Sequence, residues 1–344
     1  MSTDASSSFD SLDPSTGGFV PSSTEPSSTP VLPPDFLSGA ANLSAADTAQ
    51  SESIWSYDRA FCRNLGLINP EEQKKLREST VAIPGMGGVG GFHLMTLVRT
   101  GIGRFHIADQ DTFDVANFNR QRGASIHTVG RNKAAVMAEA ALAVNPQLKL
   151  KTWNKPVDAG NVGDFLDGAT VLLDSLDFFS FETRRVMYRE AQARKIWVVT
   201  AGPIGLSTAW LVFDPEGMSY DDYFDMHDGM EPVDLFAAFL VGLTPRGTQV
   251  PYMDMSYVDA GTARGRSTGL ACTLCAGVAA AEIVKILLNR GPLSPAPAYT
   301  QFDAYRRILR TGKLRWGNRG PLQRIKRALM RRQMLNMGYG REDS

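Results

Sequence analysis

The sequence predicts an α/β fold, a mostly parallel sheet with helices on both faces. Three observations carry that prediction. From about residue 81 to residue 200, short apolar runs alternate with stretches of helical length and period. A G-x-G-x-x-G loop, Gly85-Met86-Gly87-Gly88-Val89-Gly90, stands between the first such run and the first helix after it. An acidic residue, Asp109, closes the next run, 19 residues beyond Gly90. A strand, a glycine loop, a helix and an acid-tipped second strand in that order make the fold Rossmann-like.

In chain order, Asn69-Pro70-Glu71-Glu72-Gln73 reads as a helix start, with proline in the first turn. Residues 81–83 form the first strand; Pro84 cannot donate to a sheet ladder, so it belongs at the strand end. A helix over 92–99 is closed by Thr100-Gly101, and 104–109 is the second strand. The stretch 132–144 reads as a helix stopped by Asn145-Pro146. Strands follow at 148–153, 170–174 and 196–200, with a helix over 181–193. Beyond Ala201 the pattern weakens to a strand at 208–213 and an acidic, aromatic segment, Tyr220-Asp221-Asp222-Tyr223-Phe224-Asp225, whose role is not legible. A last long helix over 272–288 ends at Arg290-Gly291-Pro292 and is expected to pack on the sheet.

The chain has 344 residues, 43% of them hydrophobic, enough for one large core or two small ones. Its 36 basic and 36 acidic side chains balance, so any attraction to nucleic acid has to come from local clusters. Residues 1–54 are rich in Ser, Thr and Pro and carry no Lys or Arg, which predicts a disordered acidic arm. Residues 55–312 are expected to form the folded domain, and 313–344 a basic tail. Between Arg306 and Arg332 lie eleven cations and no acid, and Leu322, Ile325 and Leu329 share one helical face among them. That pattern suits an acidic partner, RNA, a membrane surface, or a contact within the chain. No apolar run approaches the roughly 20 residues of a membrane span. The first residues lack a basic start followed by an apolar stretch, so a cytoplasmic location is expected. Three cysteines, Cys62, Cys272 and Cys275, are too few for a disulfide framework.

The glycine loop lets backbone N–H groups approach phosphates, and the following helix adds its positive end. Asp109 stands where an acid bonds a ribose hydroxyl. Both features suit a dinucleotide as well as ATP, so the neighbouring residues decide. The dense polar run from Asp109 to Gln121, followed by Gly130-Arg131-Asn132-Lys133, puts several cations near the phosphates, as a triphosphate requires. Asp174 and Asp177 stand at the carboxyl end of the fourth strand, where one of them is placed to hold Mg²⁺ through oxygen; Asp174 is equally suited to capping the next helix.

These residues resemble the ubiquitin-activating-enzyme-like adenylyltransferases, the ThiF/MoeB/HesA group, over roughly residues 57–288. The glycine loop, the D-x-D segment at Asp109, the N-x-N-R-Q run from Asn117 to Gln121 and the downstream Lys133 occur in order at matching spacing. The resemblance implies a ThiF/MoeB-type adenylation domain in which Gly85, Gly87, Gly88 and Gly90 cradle ATP and Asp109 binds ribose. It further implies that Asn117, Arg120 and Lys133 handle the phosphates, that Asp177 coordinates magnesium, and that Arg59 is lent across a homodimer. The sequence departs from the family in placing Phe178-Phe179 after Asp177, where Asn is usual.

The implied activity is ATP-dependent activation of a carboxylate, the C-terminus of a ubiquitin-like or sulfur-carrier protein being the expected substrate. A carboxylate borne on tRNA, an NAD- or FAD-binding oxidoreductase, and a non-catalytic subunit paired with an active partner are the alternatives. Many relatives hold a structural zinc with two C-x-x-C pairs. This chain has one, Cys272-Thr273-Leu274-Cys275, so no zinc site is expected. At a helix N-terminus that pair would be reactive, whereas packed beside alanine it would be inert, and the inert reading is favoured. No cysteine occupies 63–271, where thioester-forming relatives place theirs.

Overall fold

A computed structural model describes residues 55–254, 257 and 266–339. The expected acidic arm, 1–54, lies outside the described residues, as does the C-terminal end from 340. Among the described residues, eight strands form one sheet. In chain order they are β1 (Thr80–Pro84), β2 (Arg104–Ala108), β3 (Lys149–Trp153), β4 (Val171–Asp174), β5 (Trp197–Ile204), β6 (Ser207–Phe213), β7 (Ala298–Asp303) and β8 (Ile308–Lys313). Their spatial order is β3-β2-β1-β4-β5-β6-β7-β8. Pairing is parallel from β3 to β5 and antiparallel from β5 to β8.

Short helices α1 (Tyr57–Phe61) and α2 (Pro70–Glu78) come first. Asn69 and Glu72 close a reciprocal capping box at the start of α2, which explains why that helix begins at its proline. After them come α3 (Gly90–Thr100), α4 (Lys133–Val144), α5 (Val162–Leu166), α6 (Phe181–Ala193), α7 (Tyr220–Phe224), α8 (Pro232–Leu243), α9 (Gly269–Leu288) and α10 (Pro321–Asn336).

Adjacent residues of the central strands feed two cores. Val81 and Ile83 join Leu94, Leu97 and Ile283 on one face, while Ala82 joins Phe165 and Phe213 on the other. A strand buried on both sides needs apolar residues at every position rather than at alternate ones, as β1 and β4 show. Helix α9 has the length and mean hydropathy, 1.9, of a membrane span, contrary to the expectation that no such run exists. It packs against β5, β6 and α3, with Cys272, Ala279 and Ile283 fully buried, and is a core helix.

The illegible acidic segment and the basic tail explain each other. Helix α7 and the turn after it present Asp222 and Asp225 to Arg319, and Asp225 also takes Arg327. Asp234 on α8 takes Arg331. Under these pairs the fully buried Asn318 donates to the Phe224 and Ala238 carbonyls, and Gln323 donates to Val241 O. Hydrogen bonds from the Ser219 hydroxyl and the Arg319 guanidinium hold the Asp222 carboxyl below its ordinary range. Residues 321–336 are thus a helix packed on α8, and the contacts of several of their cations lie within the chain.

Asn318→Ala leaves the buried Phe224 carbonyl unpaired and removes a second bond to Ala238 O, and should lower the unfolding free energy by about 1–3 kcal/mol. Asp225→Asn removes only partly exposed ion pairs and should cost about 1 kcal/mol or less. Urea midpoints of the two variants would check that ranking.

Candidate nucleotide site

Strand β1 lies between β2 and β4, whose connections leave in opposite directions, so the loop after Pro84 opens into the crevice where such sheets bind ligands. Gly85 N donates to Ala108 O at 2.7 Å and takes φ +90°, a left-handed value that favours glycine. A Cβ there would stand 2.4 Å from Ser175 O, and one on Gly90 would stand 1.8 Å from Gly85 O. Backbone meets backbone at both positions, and no side chain fits. Gly87 and Gly88 differ, because a Cβ on either would meet only ordinary contacts, 3.7 Å to Gln121 Nε2 and 3.5 Å to Cys272 Sγ. A tight turn accounts for the outer pair of glycines; close approach of a ligand accounts for the inner pair.

Asp109 ties the loop to the second strand. Its Oδ2 accepts from Met86 N at 2.7 Å and its Oδ1 from Asp111 N at 2.9 Å. Burial pushes its carboxyl above the ordinary value. Each oxygen keeps a further lone pair, so the carboxylate can still accept from a ribose hydroxyl.

The polar run after β2 folds back on itself around Phe113, which is 1% exposed. Phe113 N donates to Arg131 O and Gly130 N to Phe113 O, which returns the chain so that Lys133 N donates to Asp111 O. Lys133 Nζ lies 3.1 Å from Asp111 Oδ2 and is nearly buried, whereas Asp111 is exposed. Asn117 caps a single turn by accepting from Asp114 N, and its amide N–H groups have no partner among the described residues. Arg120 spends Nη1 on Ala116 O and Asn119 Oδ1, both at 2.9 Å. Its loop is pinned to the start of α9, where Gly269 N donates to Asn119 O and Asn119 donates to Ser267 O.

Sequence reasoning did not single out Gln121. It is buried against Gly87, and its Oε1 has no hydrogen-bond partner among the described residues. An unpaired buried oxygen at the glycine loop fits a polar ligand there. The available signal was its place in the N-x-N-R-Q run, but burial is decided only by the folding back around Phe113.

The two acids after β4 have separate fates. Asp174 does not cap α6, whose N-cap is Ser180: it is buried, paired with Arg184 at 2.8 Å, and accepts from the Tyr188 hydroxyl at 3.0 Å. Asp177 is exposed, and among the described residues its side chain accepts only from Phe179 N, through Oδ2, which leaves its other oxygen open to a cation. Phe178 and Phe179 pack on Phe236 and Phe239, with Arg184 4.6 Å over the Phe239 ring. The residues that replace the usual Asn therefore dock α8. Among the described residues no three His, Cys, Asp or Glu side chains converge as a metal cage.

Arg59 is not at this site in its own chain. Helix α1 packs at the far end of α3, where Tyr57 donates to Gly101 O, and the eleven residues of α3 span roughly 16 Å. Cys272 and Cys275 lie inside α9, which begins at Gly269, and burial pushes both thiols up rather than down. A cavity of about 630 Å³, lined by Tyr57, Arg77, Arg104 and Lys149, lies at the amino ends of β2 and β3. That edge is opposite the glycine loop and shares no residue with it.

His93 backs the loop from α3, its Nδ1 2.8 Å from Ser175 Oγ, and burial holds it neutral by lowering its pKa to about 3. The unfolded chain binds that proton from about pH 6.5 downward. Stability present above pH 6.5 should therefore be lost as pH falls toward 3, by at most about 1.4 kcal/mol per pH unit from this group. His106, also lowered by burial, acts in the same direction. His93→Asn should flatten the slope, as read by denaturant unfolding at a series of pH values. Gly90→Ala should destabilise the fold severely, whereas Gly277→Ala, in open space on α9, should stabilise it by about 0.5–1 kcal/mol. Thermal melts of the pair test whether the loop contact is as tight as its geometry.

Comparisons with known proteins agree with this geometry. The chain is 30% identical over 156 residues to a tRNA threonylcarbamoyladenosine dehydratase of Haemophilus influenzae, covering 45% of this chain and 59% of that protein. It is 29% identical over 136 residues to a probable adenylyltransferase/sulfurtransferase MoeZ of Mycobacterium tuberculosis, covering 39% of this chain and 34% of that one. The chain thus spans well under two thirds of these relatives. Among solved structures, E. coli MccB with MccA-N7isoASN superposes at TM-score 0.59, with 17% identity over 82% of this chain and 83% of that one. The E. coli dehydratase in complex with AMP superposes at TM-score 0.51, with 20% identity over 67% and 95%. At such identities the structures establish the fold. The family model for the ThiF family matches residues 61–319, and the chain belongs to that family.

Proposed function

We propose that this protein uses ATP to adenylate a carboxylate, the C-terminus of a ubiquitin-like or sulfur-carrier protein, with release of pyrophosphate. The observation that carries the reading is the inner glycine pair, Gly87 and Gly88, whose bareness no protein contact explains, at the same sheet edge as Lys133 and Arg120. ATP supplies an activated α-phosphorus: a carboxylate oxygen bonds to it, the bond to the bridging oxygen breaks, and pyrophosphate leaves as an anion. The loop amides and the α3 N-terminus bind phosphate oxygens, and Asp109 orients the ribose. Asn117 donates its free amide. Lys133 divides its protons between Asp111 and a phosphate, and Arg120 offers the guanidinium nitrogens not engaged in its own loop. Both place positive charge where the leaving group gains negative charge. Asp177 would hold a magnesium ion, which neutralises phosphate charge when bound. Arg59, remote from the loop of its own chain, would reach the site of a second copy, so the proposed active form is a cytoplasmic homodimer.

The likeness to tRNA threonylcarbamoyladenosine dehydratases favours a second reading, a carboxylate carried on tRNA, with the same activation step.

Carboxylate-dependent exchange of labelled pyrophosphate into ATP is the direct test, run with carrier proteins and with tRNA as substrates. Arg120→Ala and Lys133→Ala should each reduce exchange by about 10²–10³-fold. Mixing Arg59→Ala with Arg120→Ala protein should recover roughly a quarter of wild-type activity, because half the dimers then hold one intact site. No exchange together with no ATP binding would overturn the assignment.

A further inference from the structure

Helix α10 has two unlike faces. The inner one is occupied: Gln323 and Met334 are buried against the body of the chain, and Arg327 and Arg331 reach acids beside α8. On the outer face Leu322, Ile325 and Leu329, at helical spacings of three and four, are 62%, 59% and 62% exposed. Arg324 flanks that stripe and Arg332 continues it one turn on. Both are exposed and their side chains have no ion-pair or hydrogen-bond partner among the described residues, and the same holds for the side chains of Arg310, Lys313 and Arg315 just before the helix. Trp316, 69% exposed, sits at the approach to the helix beside Gly320. The nearby acids Asp222, Asp225 and Asp234 are already taken by Arg319, Arg327 and Arg331.

We propose that this face of α10, with Trp316, docks on an anionic lipid surface. The unpaired cations require a negative partner, which excludes a second copy of the same face, since arginine would meet arginine. The stripe covers two turns, short of the three to four heptads that a coiled-coil partner needs. Nucleic acid would satisfy the arginines and leave three aliphatic side chains in water. A lipid interface satisfies both sets: the aliphatics enter the acyl boundary, the arginines meet anionic headgroups, and the tryptophan lies at headgroup level. The attraction depends on charge, so salt weakens it.

Vesicle co-sedimentation of the full chain tests this, with phosphatidylcholine alone and with phosphatidylcholine containing phosphatidylglycerol. Binding is expected only to the mixed vesicles, reduced by added salt. It should fall by about tenfold or more in Leu322→Gln/Ile325→Gln/Leu329→Gln. Arg324→Gln/Arg332→Gln should bind less while melting at the wild-type temperature, since neither residue has a partner to lose. No binding to the mixed vesicles, equal binding to both, or variants that bind like wild type would overturn the proposal. So would a change of molar mass by light scattering in the triple variant, or retention on RNA or an acidic peptide with no vesicle binding.

Discussion

Gly90 stands so close to the carbonyl of Gly85 that a single added carbon has no room, and the carbonyl of Ser175 closes on Gly85 from the neighbouring strand end. This packing of bare backbone on bare backbone holds the loop between β1 and β4. Met86 N is thereby presented to Asp109, and Asp109 in turn holds Asp111, the partner of Lys133. A chain of short contacts thus runs from the glycine loop to Lys133, one of the two cations of the proposed reaction. His93 and Ser175 support the loop from behind, where a charged imidazole would have neither solvent nor counter-ion in contact.

Rigidity at the loop is matched by a different device at the far end of the sheet. There the chain leaves the parallel pattern, and β6, β7 and β8 extend the sheet antiparallel. Asp222, Asp225 and Asp234 gather Arg319 just before α10 and Arg327 and Arg331 on it, and Asn318 donates to the Phe224 carbonyl at the end of α7 and to Ala238 O within α8. The charges of this region are partly consumed in folding and partly left over. Of the remaining cations, Arg324 and Arg332 share the outer face of α10 with aliphatic side chains, so the pattern that made the tail look merely basic in sequence becomes a surface with two chemistries.

Ionisable groups that look alike in the sequence end in unlike environments. Asp174 and Asp177 are three residues apart after the same strand; one is buried in an ion pair with Arg184, and the other is open to solvent. Cys272 and Cys275 lie within α9, not ahead of it, and burial raises their pKa values because a thiolate there would lose its hydration. Phe178 and Phe179 depart from the family pattern for a packing reason, since both rings contact Phe236, which sits on α8.

The sequence by itself determined the parallel half of the fold and where the glycine loop stands in it. Alternation of apolar runs with helical periods, capping residues such as Asn69 and Asn132, and the glycine spacing are local signals, and local signals survive in one dimension. Gly85 and Gly90 were legible because the spacing of the loop is local; Asp109 and Lys133 were singled out by their places in the polar runs, while their contacts with Met86 and Asp111 join positions 23 and 22 residues apart. Only the tertiary structure decided the burial of Gln121, the pairing of Asp174, the distance of Arg59 from its own loop, the antiparallel half of the sheet, and the division of the C-terminal arginines. Each of these depends on a partner far away in sequence: Asp225 with Arg327, Asn318 with Ala238, Arg120's loop with the start of α9. Burial and pairing belong to such long-range contacts, and no spacing along the chain encodes which of two equal charges will meet its partner.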